Sequence, residues 1–278
     1  MKIQYLGTGA AEGIPGVFCQ CLLCKKAAKL SGREVRTRAG AIINNEILID
    51  LTPDLYYHKL RYNLDLSRVK AVVVTHSHTD HFDSAELTRR STADYCRIVE
   101  EKPLAVYGNE KVCRLGKEGL KLEFGQEENP SIRFYPIHPF DTWKVGEIRF
   151  TAIPSCHDGQ EECLIYVIQD GESSILYGND TGLLPQETYD RLKEYRFDLI
   201  SLDCTFGPAR SPVGAHMGFF ENRQFLDELE KRGCLKETTR VLATHFSHNA
   251  GLLHQGLSQA GAQYGIEVAY DGLIWEKT

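Results

Sequence analysis

His76, His78, Asp80 and His81 place four metal-capable side chains within six residues, in the run Thr75-His76-Ser77-His78-Thr79-Asp80-His81. Imidazole nitrogens and carboxylate oxygens at this density are what a pair of divalent cations needs. The apolar run Ala71-Val72-Val73-Val74 precedes them. The segment therefore reads as a buried strand stopping in a polar loop, a base rigid enough to hold ligands. By itself it fixes neither the number of metals nor the reaction.

Further ligand types stand at other strand ends. A strand at 147–153 runs into Pro154-Ser155-Cys156-His157-Asp158-Gly159, one at 173–178 into Asn179-Asp180-Thr181-Gly182, and one at 239–244 into His245-Phe246-Ser247-His248-Asn249. A strand at 46–50 stops at Asp50. Ligand sites gather where strands end and loops begin. Cys19, Cys21 and Cys24 form a second constellation, three thiols in six residues. They can wrap one tetrahedral zinc but need a fourth ligand. His248, three residues past His245, is the candidate, so that one short loop would feed both sites. The other six cysteines sit mainly in apolar patterns and read as core residues.

The elements that must position these groups alternate along the whole chain. Strands are also expected at 2–6, 39–44, 70–75, 103–107, 131–136, 163–169, 197–202, 265–269 and 273–276, all short and rich in Val, Ile, Tyr and Phe. Helices are expected at 52–61, 84–100, 109–118, 186–194, 218–232 and 252–263, with Asp83 or Ser84 capping the second and Gly233 closing the fifth. No stretch resembles a linker, and strands at both ends suggest a single domain over 1–278 with sheets covered by helices. The Gly7-Thr8-Gly9-Ala10-Ala11-Glu12-Gly13 loop does not give the G-x-G-x-x-G spacing of a dinucleotide site.

Composition narrows the class. Hydrophobic residues make up 42% and charged residues 25%, enough for a substantial core. No apolar run reaches the roughly 20 residues of a membrane span. The opening strand is too short for a signal peptide, so a cytoplasmic protein is expected. An odd count of nine cysteines in such a chain points to metal or reactive thiols rather than disulfides. The net charge is −6 with no basic stripe, which disfavours nucleic acid and leaves a small anionic substrate open. A homodimer is possible; the sequence does not decide it.

Asp50, His76-x-His78-x-Asp80-His81, His157, Asp180 and His245, in this order across nearly the whole chain, resemble the metallo-β-lactamase fold superfamily of hydrolases. The resemblance implies an α/β (α+β) fold, a four-layer αββα sandwich, with a dinuclear site at one sheet edge. Carried over, His76, His78 and His157 would hold one metal and Asp80, His81 and His245 the other. Asp180 would bridge them, and Asp50 would orient a ligand from behind. The thiol cluster with His248 resembles the carbon–phosphorus lyase accessory phosphodiesterase branch, which acts on phosphoribosyl 1,2-cyclic phosphate and carries such a structural zinc. That branch and the tRNA 3′-processing nucleases also have a histidine beyond the metal set. Here this would be His216, contacting the scissile phosphate or leaving group, with Asp203 orienting it.

The expected reaction is phosphodiester cleavage by a hydroxide shared between two divalent metals, zinc or manganese, with His216 and Asp80 as catalytic residues and one further structural zinc at the thiolates. The alternatives are a tRNA 3′-processing endonuclease and a non-catalytic carrier like that of pyrroloquinoline quinone biosynthesis. Thioester or lactam hydrolysis also remains open. His58, His138 and His254 lack partners in sequence and are read as structural. Arg36 and Arg38 could meet a phosphate, a surface or salt-bridge role being preferred.

Overall fold

The computed structural model describes residues 1–91, 95–98, 102–212 and 214–277. The first half of the chain builds one sheet from β1 (Lys2–Gly7), β2 (Gly40–Ile43), β3 (Ile47–Ile49), β4 (Ala71–Val73), β5 (Leu104–Gly108) and β6 (Ile132–Pro136). The second half builds another from β7 (Thr142–Val145), β8 (Ile148–Pro154), β9 (Leu164–Gln169), β10 (Ser174–Gly178), β11 (Phe197–Asp203), β12 (Leu235–Thr244) and β13 (Glu267–Val268). The last strand, β14 (Ile274–Glu276), returns to pair with β1, giving two seven-stranded sheets. Both are mixed: β3 to β6 run parallel, as do β10 to β13, while the hairpin partners run antiparallel.

The sheets face each other across a shared apolar layer. Tyr5, Ile43, Ile49 and Val73 of the first meet Phe150, Tyr166, Ile175 and Tyr177 of the second. Their outer faces are covered by helices. α1 (Leu22–Leu30) lies beside the N-terminal loop, and α2 (Leu55–Tyr62), α3 (Ser84–Leu87) and α4 (Glu110–Phe124) follow in the first half. α5 (Gln186–Leu192), α6 (Phe219–Lys231) and α7 (His254–Ala262) follow in the second. Val112 and Leu120 of α4 pack with Val72 and Val106, while Phe225 and Leu229 of α6 pack with Ile200 and Leu202. Strand residues of β4, β10 and β11 are buried on both faces, as expected of strands covered from both sides. The layers are thus helix, sheet, sheet, helix.

Several expected elements differ. The helix expected over 84–100 closes after one turn. Asp83 caps it through bonds from the Ala85 and Glu86 amides, but a 3₁₀ turn at Thr88–Arg90 follows. Residues 92–94 and 99–101 of that range lie outside those described. α2 begins at Leu55, because Thr52-Pro53-Asp54 forms a turn in which Asp54 accepts from the Arg38 amide at 2.9 Å. α4 runs six residues beyond 118, to Phe124, and stops where Gly125 takes the left-handed conformation at φ 75°. α1 and β7 were not expected. Gly233 follows the end of α6 at φ 69°.

Candidate metal centre

The histidines and aspartates of the two donor groups, with Asp50 and Asp203, lie at the carboxyl ends of strands. Asp50 follows β3, His76 to His81 follow β4, His157 follows β8, Asp180 follows β10, Asp203 ends β11 and His245 follows β12. Three of these chain ends turn sharply: Asp50, Asp180 and His245 have φ of 64°, 51° and 58°. The left-handed region costs a non-glycine residue of order 1 kcal/mol or more. Here it aims three side chains away from their strands and towards one point.

The side chains fall into two groups whose ligand atoms each lie within 4.8 Å of one another: His76, His78 and His157, and Asp80, His81, Asp180 and His245. Asp180 stands between the groups. One of its oxygens is 2.5 Å from His81 Nε2 and 3.5 Å from His76 Nε2, and the other is 2.9 Å from His245 Nε2. Asp80 Oδ2 lies 3.1 Å from His81 Nε2.

In four of the five histidines one ring nitrogen is engaged from behind. Asp50 Oδ2 accepts from His81 Nδ1 at 2.7 Å, Ala215 O accepts from His157 Nδ1 at 3.2 Å, the Thr205 hydroxyl meets His245 Nδ1 at 2.9 Å and the Thr75 hydroxyl meets His76 Nδ1 at 3.0 Å. In His78 it is Nε2 that faces Asp158, at 3.4 Å.

The inward nitrogens are left over. His76 Nε2, His81 Nε2, His245 Nε2 and Asp180 Oδ1 are buried with no hydrogen bond, although carboxylate oxygens and ring nitrogens crowd together. Buried polar atoms without partners are costly, and converging acceptors around an empty point are what a cation satisfies. His157 Nε2 and His78 Nδ1 face each other at 3.2 Å. Two nitrogens on one tetrahedral zinc, each about 2.1 Å from it, stand about 3.4 Å apart. The donor set fits divalent cations.

The electrostatics agree. Burial holds His76 well below, and His157 below, the usual imidazole value, so both are neutral and free to donate a lone pair. Burial also opposes charge on His81 and His245, but Asp180 outweighs it in both, with Asp80 and Asp50 adding to the effect at His81. His81 is held well above its ordinary value and His245 is raised to about 10. Asp180 is held well below the carboxylate range by His245 and His81, against its own burial. A field that keeps positive charge on buried imidazoles also favours a metal ion in its place.

His216 lies beside both groups. Its ring stacks on His245 at 5.6 Å and meets His157 edge-on at 4.7 Å. Its Nδ1 donates to Asp203 Oδ2 at 2.7 Å, which leaves Nε2 as the free nitrogen. Burial opposes its charged form, but Asp203 wins and raises its pKa. His216 sits in the loop before α6, three residues ahead of Phe219.

Cys19, Cys21 and Cys24 surround His248 Nδ1 at 3.2, 3.5 and 3.3 Å. Zinc bonds of about 2.3 Å to sulfur and 2.1 Å to nitrogen give a tetrahedral edge of about 3.6 Å. Cys21 is the N-cap of α1, accepting from the Cys24 amide at 3.4 Å, and mainly for that reason its thiol falls to about 6. Burial pushes Cys24 up to about 12 in the metal-free cluster.

Some residues were not singled out from sequence. Glu161 has a buried side chain that accepts from the Ser77 amide at 3.0 Å, the Ser77 hydroxyl at 2.7 Å and Asn109 at 2.7 Å, and it pairs with Lys111 at 3.2 Å. It pins the loop that carries His76 and His78. Thr205 links Asp203, His216 and His245. The only available signal was nearness, Glu161 standing four residues after His157 and Thr205 two after Asp203.

Other residues lie away from the centre or form its rim. His58 is buried against Thr37, His138 pairs with Glu162 and His254 contacts Arg36. Arg36 is buried, bonded to Thr8 and the Ala269 carbonyl, rather than at the surface; Arg38 pairs with Asp54. Cys113, Cys163, Cys204 and Cys234 are buried, whereas Cys96 and Cys156 are only partly so. The centre opens into a cleft of about 320 Å³ rimmed by Ala10, Ala11, Glu12, Phe206, Ser247 and Asn249.

Residues 45–246 match the beta-lactamase superfamily domain. The chain belongs to that superfamily. Its fold is of the metallo-β-lactamase type, similar to a diphosphatase of the PhnP family at 24% identity and TM-score 0.76, covering 100% of this chain and 98% of that one. It is also similar to zinc-bound PqqB from Methylobacterium extorquens, at 16% identity and TM-score 0.77 over 100% of both chains. Human tRNase Z, short form, matches at 16% identity and TM-score 0.68 over 99% of both. A curated relative, an octanoyltransferase of Porphyromonas gingivalis (strain ATCC BAA-308 / W83), is 26% identical over 208 residues. That match takes in 72% of this chain but only 39% of the relative's length. Among the described residues no helix is long and apolar enough to cross a membrane.

Proposed function

We propose that the protein is a metal-dependent phosphodiesterase acting on a small organic diester, with cyclic phosphates of the phosphoribosyl 1,2-cyclic type the first substrates to test. The observation that carries this reading is His216. Its ligand atom lies within 4.8 Å of those of Asp180 and His245, its ring also meets His157, and the buried Asp203 carboxylate takes its Nδ1 and holds it ready to donate.

Two divalent cations, one at His76, His78 and His157 and one at Asp80, His81 and His245, with Asp180 between, would supply an acidified water and neutralise charge on the phosphoryl oxygens. The chain does the rest. Asp50 keeps the His81 proton on Nδ1, so its Nε2 lone pair faces the centre. Ala215 does the same for His157 through its carbonyl. Asp203 fixes the proton of His216 on Nδ1 and raises its basicity, so His216 Nε2–H delivers a proton to the leaving oxygen as its bond to phosphorus breaks. Asp80, its Oδ2 3.1 Å from His81 Nε2, would share a cation with that nitrogen and adds negative charge that favours cation binding. The thiolate cluster with His248 takes one structural zinc and anchors the loop that carries His245.

A tRNA-processing role has less support. The interval from His157 to Asp180 is taken up by β9 and β10, which leaves no substrate arm there. The test is metal analysis after gentle purification, followed by turnover of bis(p-nitrophenyl) phosphate and of small cyclic diesters with zinc and with manganese. Fewer than two metals per chain, or no diester hydrolysis with either ion, would overturn the proposal. Cleavage of precursor tRNA with no cleavage of small diesters would favour the nuclease reading instead.

A further inference from the structure

The loop between β1 and α1 runs from the catalytic cleft to the thiolates. It starts zipped to the segment that follows β12. The Phe246 amide donates to the Thr8 carbonyl at 2.9 Å, and the Ala10 amide donates to the Phe246 carbonyl at 3.0 Å. The loop then reaches the sulfurs, where the Gly16 amide donates to Cys24 Sγ at 3.3 Å. Glu12 lies between these two anchor points, and it also lines the cleft.

Glu12 Oε1 accepts from the Ser247 hydroxyl at 2.6 Å and from the His248 amide at 3.2 Å. The Ser247 hydroxyl in turn accepts from the Asn249 amide at 3.0 Å, which caps the 3₁₀ turn His248–Ala250. One carboxylate oxygen therefore fixes the backbone on which His248 stands. The same oxygen lies 3.7 Å from His248 Nε2, too far for a direct hydrogen bond but close enough for a charge contact. Nδ1 is the nitrogen that meets the three sulfurs. If Nδ1 is to give its lone pair to a metal, the ring proton must sit on Nε2, and a carboxylate on that side favours this tautomer.

Three thiolates would repel a carboxylate, but backbone amides take up part of their charge. The Gly16, Cys21 and Cys24 amides donate to the sulfurs of Cys24, Cys19 and Cys21 at 3.3, 3.5 and 3.4 Å. Both bonds of Glu12 go to the histidine side of the cluster. Resting on the zinc reading of the thiolate cluster above and not on the phosphodiester chemistry, we propose that Glu12 is a positioning residue of that zinc site. It acts through Ser247 and His248, keeping His248 Nδ1 on the sulfurs with the ring proton on Nε2. The same contacts tie a residue of the cleft rim to a metal site outside the cleft.

The test replaces the bound metals of the full chain by cobalt and withdraws the cobalt with increasing chelator. The thiolate-to-cobalt charge-transfer band reports this cluster and not the imidazole and carboxylate centre. Glu12→Gln keeps an oxygen for Ser247 and the His248 amide but loses the charge beside Nε2, and cobalt should be held about tenfold less tightly. Glu12→Ala loses both and should cost about a hundredfold, with the cobalt bands shifting as Nδ1 loosens. Ser247→Ala removes the hydroxyl that joins Glu12 to the turn, should cost about tenfold, and decides the matter if neither Glu12 variant folds. Wild-type bands with an affinity within about threefold of wild type, whatever the change in unfolding stability, would make the contact merely structural and overturn the inference. Absence of the charge-transfer band in the wild-type protein would instead overturn the thiolate-metal reading on which it rests.

Discussion

Asp203→Asn is the sharpest probe of the proposed chemistry, because one atom changes and its neighbours are all known. Asp203 Oδ1 accepts from the amides of Thr205 and Met217, both at 3.0 Å. Oδ2 accepts from His216 Nδ1 at 2.7 Å and the Thr205 hydroxyl at 3.2 Å. Asparagine can keep its oxygen on the two amides, so the fold is preserved, but its NH₂ then faces His216. His216 must move its remaining proton to Nε2, and it loses the carboxylate that favours its charged form. A hydrogen bond to a charged group is worth about 1.5–3 kcal/mol, or roughly ten- to hundredfold in rate at 1.4 kcal/mol per decade. If that bond supports proton donation, kcat/KM falls by this factor for diesters with alkyl leaving groups. It stays nearly unchanged for p-nitrophenyl diesters, whose leaving group departs without a proton. The assay is a plot of rate against leaving-group pKa for wild type and variant, with metal content measured on the same samples because Asp203 also lies 3.5 Å from His245 Nδ1. An equal loss for good and poor leaving groups at full metal content would refute the reasoning.

Four further outcomes follow from the same geometry. Asp50→Asn should weaken divalent-cation binding at His81 by about ten- to hundredfold in chelator competition, since His81 loses the charged acceptor behind it; wild-type affinity would show that the centre does not need Asp50. Glu161→Ala strips a buried carboxylate from Ser77, Asn109 and Lys111 and should cost about 2–4 kcal/mol in denaturant unfolding; a change under about 0.5 kcal/mol would mean the loop needs no such anchor. Cys21→Ser should release zinc to a chromophoric chelator and lower the melting temperature while diester turnover of the surviving fold persists; loss of turnover at unchanged stability would make the thiolate site catalytic. Gly182→Ala would set a methyl 1.5 Å from the Gly214 carbonyl, so the loop bearing His216 must move away from the Asp180 loop, and turnover should fall much more than metal content; full activity would show that this close approach is not needed.

The fold class was legible in the sequence, and so were the residues that the structure gathers at the strand ends. The β4 loop could be read because four metal-capable side chains in six residues have few other uses, and His157, Asp180 and His245 because each follows an expected strand. β4, β10 and β11, buried on both faces, were marked by composition, whereas β7, with no buried residue, was not. Neither was α1: Leu22 and Leu30 are exposed and only Cys24 and Ala27 are buried, so no apolar face marks it. The helix expected over 84–100 had a good cap in Asp83, but a cap sets where a helix begins and not how far it runs. Glu161 and Thr205 had no local signature beyond nearness, because Ser77 and Asn109 for the first and His245 for the second lie far away in sequence.

The sequence by itself determined the chemical types of the donors and their order, since these are properties of single residues and short spacings. Only the tertiary structure decided which nitrogen of each histidine faces inward, that His216 leans on Asp203, and that Glu12 stands on the wall of the cleft. Those facts depend on contacts between residues up to 236 positions apart, such as Glu12 with His248, and on the left-handed turns at Asp50, Asp180 and His245 that aim the side chains. Direction in space is set by the packing of the two sheets, which no short stretch of sequence encodes.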